Sequence, residues 1–285
     1  MFRPLLRVLR RARILVFLSL VAAIAILASY MFAGFIDEAA KSAKFIELGF
    51  DHIFVPSARP HVDRRQLMSR TLRYQGIPFG FFPATTAYDI DHPEAYSFWL
   101  GEEHWTPPKS SLLSATALAS FRTHMNVIND IVRLEHASTL VLGDQVDIAA
   151  DIKQQMRTVV ESLPATWDIL YLGHCSNNES SRPTTFHSQI HVATDPKCAF
   201  AYALSRAGAR RLKRVLDNMW PAPLKPFEDV LSDMVVPLFL EAYVVDPPLV
   251  AHVDKISDST YTPTYYTLGN STLDKLGLLS RKLTR

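Results

Sequence analysis

The apolar positions of this chain fall into one long run near the N-terminus and, after it, short runs that alternate with stretches of helical spacing. Residues 14–36 carry no charged side chain, and Arg3, Arg7, Arg10, Arg11 and Arg13 precede them without an acid. At 1.5 Å per residue a helix of that length crosses a hydrocarbon core of ~30 Å. Arginines on one flank predict a cytoplasmic N-terminus. The pattern therefore predicts a cytoplasmic tail at 1–13, a transmembrane signal anchor at 14–36, a stem at 37–48 and a lumenal domain at 49–285. The competing reading is a cleaved signal peptide, for which Ala28 and Ala33 offer small residues.

Beyond the stem, HIFVPS (52–57), PFGFFPAT (78–85), STLVLGDQV (138–146), WDILYLG (167–173), CAFAYALS (198–205) and EAYVVDPPLV (241–250) read as strands. Between them lie segments of helical spacing. In 63–76, Asp63 fits the N-cap, Leu67, Met68 and Leu72 share a face, and Gly76 stops the helix. In 111–135 the spaced positions are Leu118, Phe121, Met125, Ile128 and Val132. Residues 151–162 form a third helix, Ser205 caps a fourth, and FEDVLSDMVVPLFL a fifth up to Pro237. The polar stretch 89–110 reads as a loop. Strands alternating with helices predict an α/β fold with a parallel-rich sheet covered on both faces.

Charge adds little. The 30 basic and 28 acidic residues leave a net charge of +2, much of it before residue 14, so no clustered basic face suggests a nucleic-acid partner. The two cysteines, Cys175 and Cys198, are too few and too far apart for a zinc site. In a reducing compartment they would be buried thiols, and in an oxidising one they could pair.

Ligands of open α/β sheets sit at the carboxyl ends of strands, so the residues following the apolar runs are the candidates. LVLGDQVD delivers Asp144 and Asp147 to such an end, where carboxylates can hold a hard divalent cation or serve as turn and cap residues. Arg59, Arg64 and Arg65 follow the first strand, where they could meet phosphate or form a solvated helix start. Glu228 and Asp229 open a helix, favouring its dipole or offering a general base. His174 and His252 each follow a strand, where a lone histidine is more often packed than a ligand. No nucleophile elbow, glycine-rich phosphate loop or HExxH motif occurs.

Taken in order, IFVPSARPHVDRRQLM, FRTHMNVINDIV, TLVLGDQVD, TWDILYLGHC, CAFAYALSRAGARRL, KPFEDVLSDM and VVDPPLVAH followed by SDS resemble glycosyltransferase family 25, its fungal members most of all. The resemblance spans residues 53 to 259. It implies a GT-A type, Rossmann-like sheet and an inverting transfer, often of galactose from UDP-galactose, to a glycan or glycoprotein hydroxyl, with manganese. By that resemblance Arg59, Asp63 and Arg64 lie near the nucleotide or its phosphates, together with Asp144. In an active glycosyltransferase Asp144, which matches the family motif, and Asp147 just beyond it would hold the metal, with His252 as a candidate third ligand and Asp229 as the acceptor base. Combined with the predicted lumenal side, it also implies a Cys175–Cys198 disulfide and a Golgi or endoplasmic reticulum membrane location of type II topology.

The sequence departs from the family at one telling place. Where members have Glu-Asp-Asp after the apolar strand, this chain has Gly143, Asp144 and Gln145, which weakens capture of a cation because each carboxylate offsets part of its dehydration. Leu118-Ala119-Ser120 likewise replaces the usual glycine and cysteine before Arg122-Thr123-His124. These departures keep a second function open, that of a non-catalytic binding or scaffold protein.

Overall fold

The computed structural model describes residues 48–92, 112–175, 183–220, 222–235, 239–257 and 260–280. The expected tail and anchor, residues 37–47 of the stem, and residues 93–110 of the predicted loop lie outside them. Among the described residues no helix is long and apolar enough to cross a membrane.

The first half follows the periodicities closely. The apolar run 52–57 forms β1 (His52–Ser57), and α1 (Val62–Tyr74) buries Leu67, Met68 and Leu72. Its N-cap is His61, without a side-chain bond, so Asp63 stands in the first turn rather than at the cap. Gly76, at φ +61°, lets the chain turn back into β2 (Gly80–Pro83). A short helix, α2 (Ala87–Asp91), occupies part of the predicted loop because Thr86 and Asp89 form a capping box. The long helix is α3 (Ala115–Arg133), which buries Phe121, Met125, Ile128 and Ile131.

The predicted strand 138–146 divides into β3 (Ser138–Leu142) and β4 (Val146–Ile148), with Gly143 to Gln145 between them. Then come α4 (Ile152–Ser162), β5 (Ile169–Gly173), β6 (Ile190–Val192), β7 (Ala201–Ser205) and α5 (Arg206–Met219), which Ser205 caps by accepting from the Gly208 amide. After α6 (Phe227–Val235), the apolar run 241–250 is broken at Asp246 and the two prolines into β8 (Ala242–Val245) and β9 (Val250–Ser257). β10 (Thr260–Pro263) and α7 (Thr272–Lys275) close the described chain.

The main sheet has the order β2-β1-β3-β7-β5-β8-β6. Pairs β1–β2, β1–β3 and β5–β8 are parallel. β7 runs against both β3 and β5, and β6 against β8, so the sheet is mixed although most strands share one direction. Successive side chains of a strand face opposite ways. Ile53, Val55, Leu140, Leu142, Leu170 and Leu172 pack on one face with Met68 of α1 and Met156 of α4. Phe54, Val141, Ile169 and Tyr171 pack on the other with Phe121, Leu212 and Phe227 of α3, α5 and α6. That two-sided burial is why the strands read as continuous apolar runs. Leu48, at the end of the expected stem, is fully part of the first cluster. A second sheet, β10-β9-β4, is antiparallel and leads away from the end of β3.

Candidate functional site

A cleft of about 610 Å³ opens at the carboxyl ends of β1, β2 and β3. Ser57 ends β1 and Ala58 follows it, Thr85 to Ala87 follow β2, and Gly143 and Asp144 follow β3. Because β7 is reversed, its leading residues, Cys198 to Phe200, reach the same edge. Thr123 and His124 of α3, Glu228 of α6, His252 of β9 and Tyr265 complete the lining.

Asp144 is the best-held acid in this cleft. The Gly143 amide donates to the Phe200 carbonyl at 2.7 Å and pins the turn that carries it. The Ser57 hydroxyl donates to Asp144 Oδ2 at 2.8 Å. His61 Nδ1 lies 3.7 Å from the same oxygen, and Arg64 Nη1 lies 3.6 Å from Oδ1. The carboxylate is 13% exposed and the guanidinium 42%, so Asp144 sits inside the cleft and Arg64 at its mouth.

Burial disfavours the charged form of two histidines in the lining. The Thr264 hydroxyl gives its single proton to Asp254 Oδ2 at 3.0 Å, so at 2.8 Å it accepts from His252 Nδ1. This leaves the Nε2 lone pair of His252 as its second polar atom. Desolvation, and to a smaller extent Arg64, hold its pKa low against the pull of Asp254 and Asp144. His124 Nδ1 lies 2.8 Å from the Tyr202 hydroxyl, and its ring stacks on Phe227 at 4.2 Å. Desolvation pulls its pKa down to about 4.

The sequence matches the profile of glycosyltransferase family 25 (LPS biosynthesis protein) over residues 50–222, which includes β1, β3, β7 and the turn bearing Asp144. The chain belongs to this family. Among curated relatives, procollagen galactosyltransferase 1 of Danio rerio is 27% identical over 61% of this chain and 30% of its own length. The inactive glycosyltransferase 25 family member 3 of Homo sapiens is 26% identical over 66% of this chain and 32% of its own length. The chain thus spans only a minor part of the relatives it matches. A solved glycosyltransferase involved in glycosylation of the major capsid of PBCV-1 aligns at 12% identity over 73% of this chain and 95% of that one, with a TM-score of 0.41. A likeness of that size adds nothing to what the sheet topology says.

Of the side chains expected at a family 25 site, the structure gathers Asp144, Arg64 and His252 in the cleft and leaves the others aside. Asp147 is the main correction. It pairs with Ala251 across β4 and β9, whereas His252 pairs with Val146, so the two side chains face opposite sides of the ribbon. Asp147 is 1% exposed. It accepts from the Ser271 hydroxyl at 2.5 Å and from the Leu273 and Ile148 amides at 3.0 and 2.8 Å. It is an anchor for the start of α7, not a cleft ligand. Asp63 turns outward to Lys255 at 2.5 Å, beside a smaller cavity of about 340 Å³ that also borders Arg64 and Gln145. Arg59 is exposed and outside the cleft lining, and Arg65 lies over the Phe81 ring at 4.0 Å. Glu228, rather than its neighbour Asp229, lines the cleft.

These positions bear on the expected manganese. Among the described residues no group of three His, Cys, Asp or Glu side chains gathers where a metal ion could be held. Of the three expected ligands, Asp144 and His252 face one space and Asp147 does not, and Arg64 already stands against Asp144. A divalent cation of this kind takes about six ligands, and even where water and diphosphate supply most of them the turn offers it a single carboxylate with a guanidinium already against it, so the described side chains do not fit that site.

Ser57, His61 and Tyr265 were not singled out from sequence. The strand-end rule that drew attention to Arg64 applies equally to Ser57 and His61. Nothing local marks Tyr265, which arrives from beyond β10. Cys175 and Cys198 are joined in a disulfide, Cα to Cα 5.7 Å, as the family resemblance implied. The bond holds the leading end of β7, where Cys198 adopts φ +71°. Next to it Lys197 pairs with Asp195 at 2.8 Å, and Ser232 of α6 donates to Asp195 at 2.5 Å. The Lys197 and Ser232 bonds lower the Asp195 pKa. This network ties the Cys198 wall of the cleft to the helix that carries Glu228.

Proposed function

We propose that the chain is a glycosyltransferase that moves a hexose from a nucleoside-diphosphate sugar to a hydroxyl of a glycan or glycoprotein. The observation that carries the reading is Asp144 at the end of β3, held by Ser57 in a cleft of about 610 Å³ bordered by the ends of three parallel strands. A nucleoside-diphosphate sugar is an elongated polyanion, and a cleft with Arg64 and His61 at one end suits its diphosphate. The sheet order, with one reversed strand between parallel ones, supports a GT-A-like Rossmann-type reading. Galactose from UDP-galactose is the first donor to test, since procollagen galactosyltransferases are among the relatives.

In the proposed inverting step the acceptor oxygen attacks the anomeric carbon as the bond to the diphosphate oxygen breaks. The acceptor proton passes to a carboxylate and the nucleoside diphosphate departs with the bonding electron pair. Glu228 lines the cleft and is the better candidate for that base than Asp229. We further propose a secretory-pathway membrane location of type II topology in the Golgi or endoplasmic reticulum, supported by the uncharged run 14–36, the arginines before it and the Cys175–Cys198 disulfide.

The test is release of UDP from UDP-galactose and other UDP-sugars by the purified full-length chain, with and without a glycoprotein acceptor and manganese. Asp144→Ala should abolish turnover, and an unchanged rate in that variant would end the assignment. A second reading, a non-catalytic donor-binding protein, is favoured by Gly143 and Gln145 and by the presence of a relative named inactive. UDP-sugar binding without turnover under all these conditions is the result that selects it.

A further inference from the structure

We propose that Arg64, assisted by His61 and the first turn of α1, neutralises the diphosphate of the donor in place of a divalent cation, so that nucleotide binds this chain without metal. The proposal rests on the nucleotide-sugar reading and specifies how that site works. It starts from the acids. Gly143 and Gln145 bring no charge, and Gln145 faces the smaller cavity rather than the cleft. Asp147, the other acid of the turn, is buried on the far side of β4 and spent on α7. A cation beside Asp144 would therefore meet that one carboxylate of the turn and the ring of His252, with Glu228 on α6 the other acid of the lining and, among the described residues, no group of three such side chains gathered to offset the loss of its hydration shell.

The space beside that carboxylate already holds a positive charge. Arg64 Nη1 is 3.6 Å from Asp144 Oδ1, an ion-pair distance too long for a hydrogen bond, so the planar guanidinium keeps its N–H donors for another acceptor. A metal ion on Asp144 would be pressed against it. Arg64 borders both cavities, and at 42% exposure it can swing toward a ligand in either. A guanidinium meets phosphate oxygens in pairs, which an ammonium cannot do.

Two neighbours bring further hydrogen-bonding groups to the same place. His61 Nδ1 stands 3.7 Å from Asp144, in the same cleft. His61 is also the N-cap of the 13-residue helix α1 and makes no side-chain cap, so although the Val62 amide bonds the Pro60 carbonyl at 2.9 Å, the amides of Asp63 and Arg64 receive no capping side chain. Every one of these groups lies on the loop or helix that follows β1, whereas the acidic triplet of the family lies after β3. Charge neutralisation has moved from one strand end to the next within the same cleft.

The test is calorimetric titration of UDP into the purified full-length chain, once in manganese and once in EDTA. The Kd in EDTA should lie within about threefold of that in manganese. Arg64→Ala should raise the EDTA value about tenfold or more with an unchanged circular-dichroism spectrum, and Arg64→Lys should recover only part of the loss. The paired change Gly143→Glu with Gln145→Asp rebuilds the triplet. A Cβ at 143 would approach nothing closer than 3.4 Å, so the turn can accept it. In that variant UDP should bind about tenfold or more tightly in manganese than in EDTA. Wild-type binding that is lost in EDTA, or EDTA binding indifferent to Arg64→Ala, overturns the proposal and leaves the nucleotide-sugar reading intact. Failure of both UDP and GDP to bind in either medium defeats the nucleotide-sugar reading, and this proposal with it.

Discussion

Asp147→Ala is expected to cost the fold about 3 kcal/mol while leaving the side chains of the cleft in place. The figure follows from what the carboxylate holds. Its two oxygens accept from the Leu273 and Ile148 amides and from the Ser271 hydroxyl, all in a buried setting. The hydroxyl can turn to another acceptor, but two buried amides cannot, and each unmatched donor costs about 1–3 kcal/mol. For a domain of this size that corresponds to a melting point lower by about 6–12 °C. Asparagine behaves differently. Desolvation outweighs the Ser271, Leu273 and Ile148 hydrogen bonds and raises the Asp147 pKa, so burying the ionised form has a net cost that an amide avoids. A raised carboxylate pKa also means that its contribution is fullest at low pH and fades as pH rises through the folded value. Asp147→Asn keeps one carbonyl oxygen for the two amides and should lose less than about 1 kcal/mol, with no such fading. The assay is urea denaturation of wild type and both variants at two pH values, paired with UDP release from UDP-galactose. Wild-type stability in Asp147→Ala together with lost turnover would refute the reasoning and return Asp147 to the cleft.

Two further outcomes are expected. Gly208→Ala lies inside α5, where alanine ordinarily adds about 1 kcal/mol, yet its Cβ would fall inside the contact distance of the Asp168 carbonyl, so the melting point should drop rather than rise. His124 has a folded pKa pulled down to about 4 by desolvation, below the unfolded value of 6.5, so its stabilising contribution is complete above pH 6.5 and is lost as pH falls from there toward 4. Between pH 7 and 5 that amounts to about 2 kcal/mol, with the desolvated His52 and His136 acting in the same direction, and His124→Asn should flatten the urea midpoint against pH.

Much of the architecture was legible because burial leaves a direct trace. The runs at 53–55, 140–142 and 169–172 are apolar at every position, and only a sheet covered on both faces needs that. Direction leaves no such trace. CAFAYALS reads the same whichever way it runs, and its reversal as β7 depends on hydrogen bonds to β3 and β5. The ribbon of β9 and β10 was missed for a related reason, since VDKIS and TYTP mix polar and apolar residues and owe their pairing to one another.

At the site the same distinction decides the outcome. The rule that ligands gather beyond the carboxyl ends of strands located Asp144, because it asks only where an apolar run stops. It cannot separate Asp144 from Asp147, three residues apart in the same turn and strand. What separates them is parity. Once Val146 pairs with His252, alternation sends Asp147 to the opposite side of the ribbon, where Ser271 and the amide of Leu273 await a carboxylate. The partner of β4 is more than one hundred residues distant in sequence, so the identity of the cleft acid is set by a long-range register that no local pattern around 144–147 encodes.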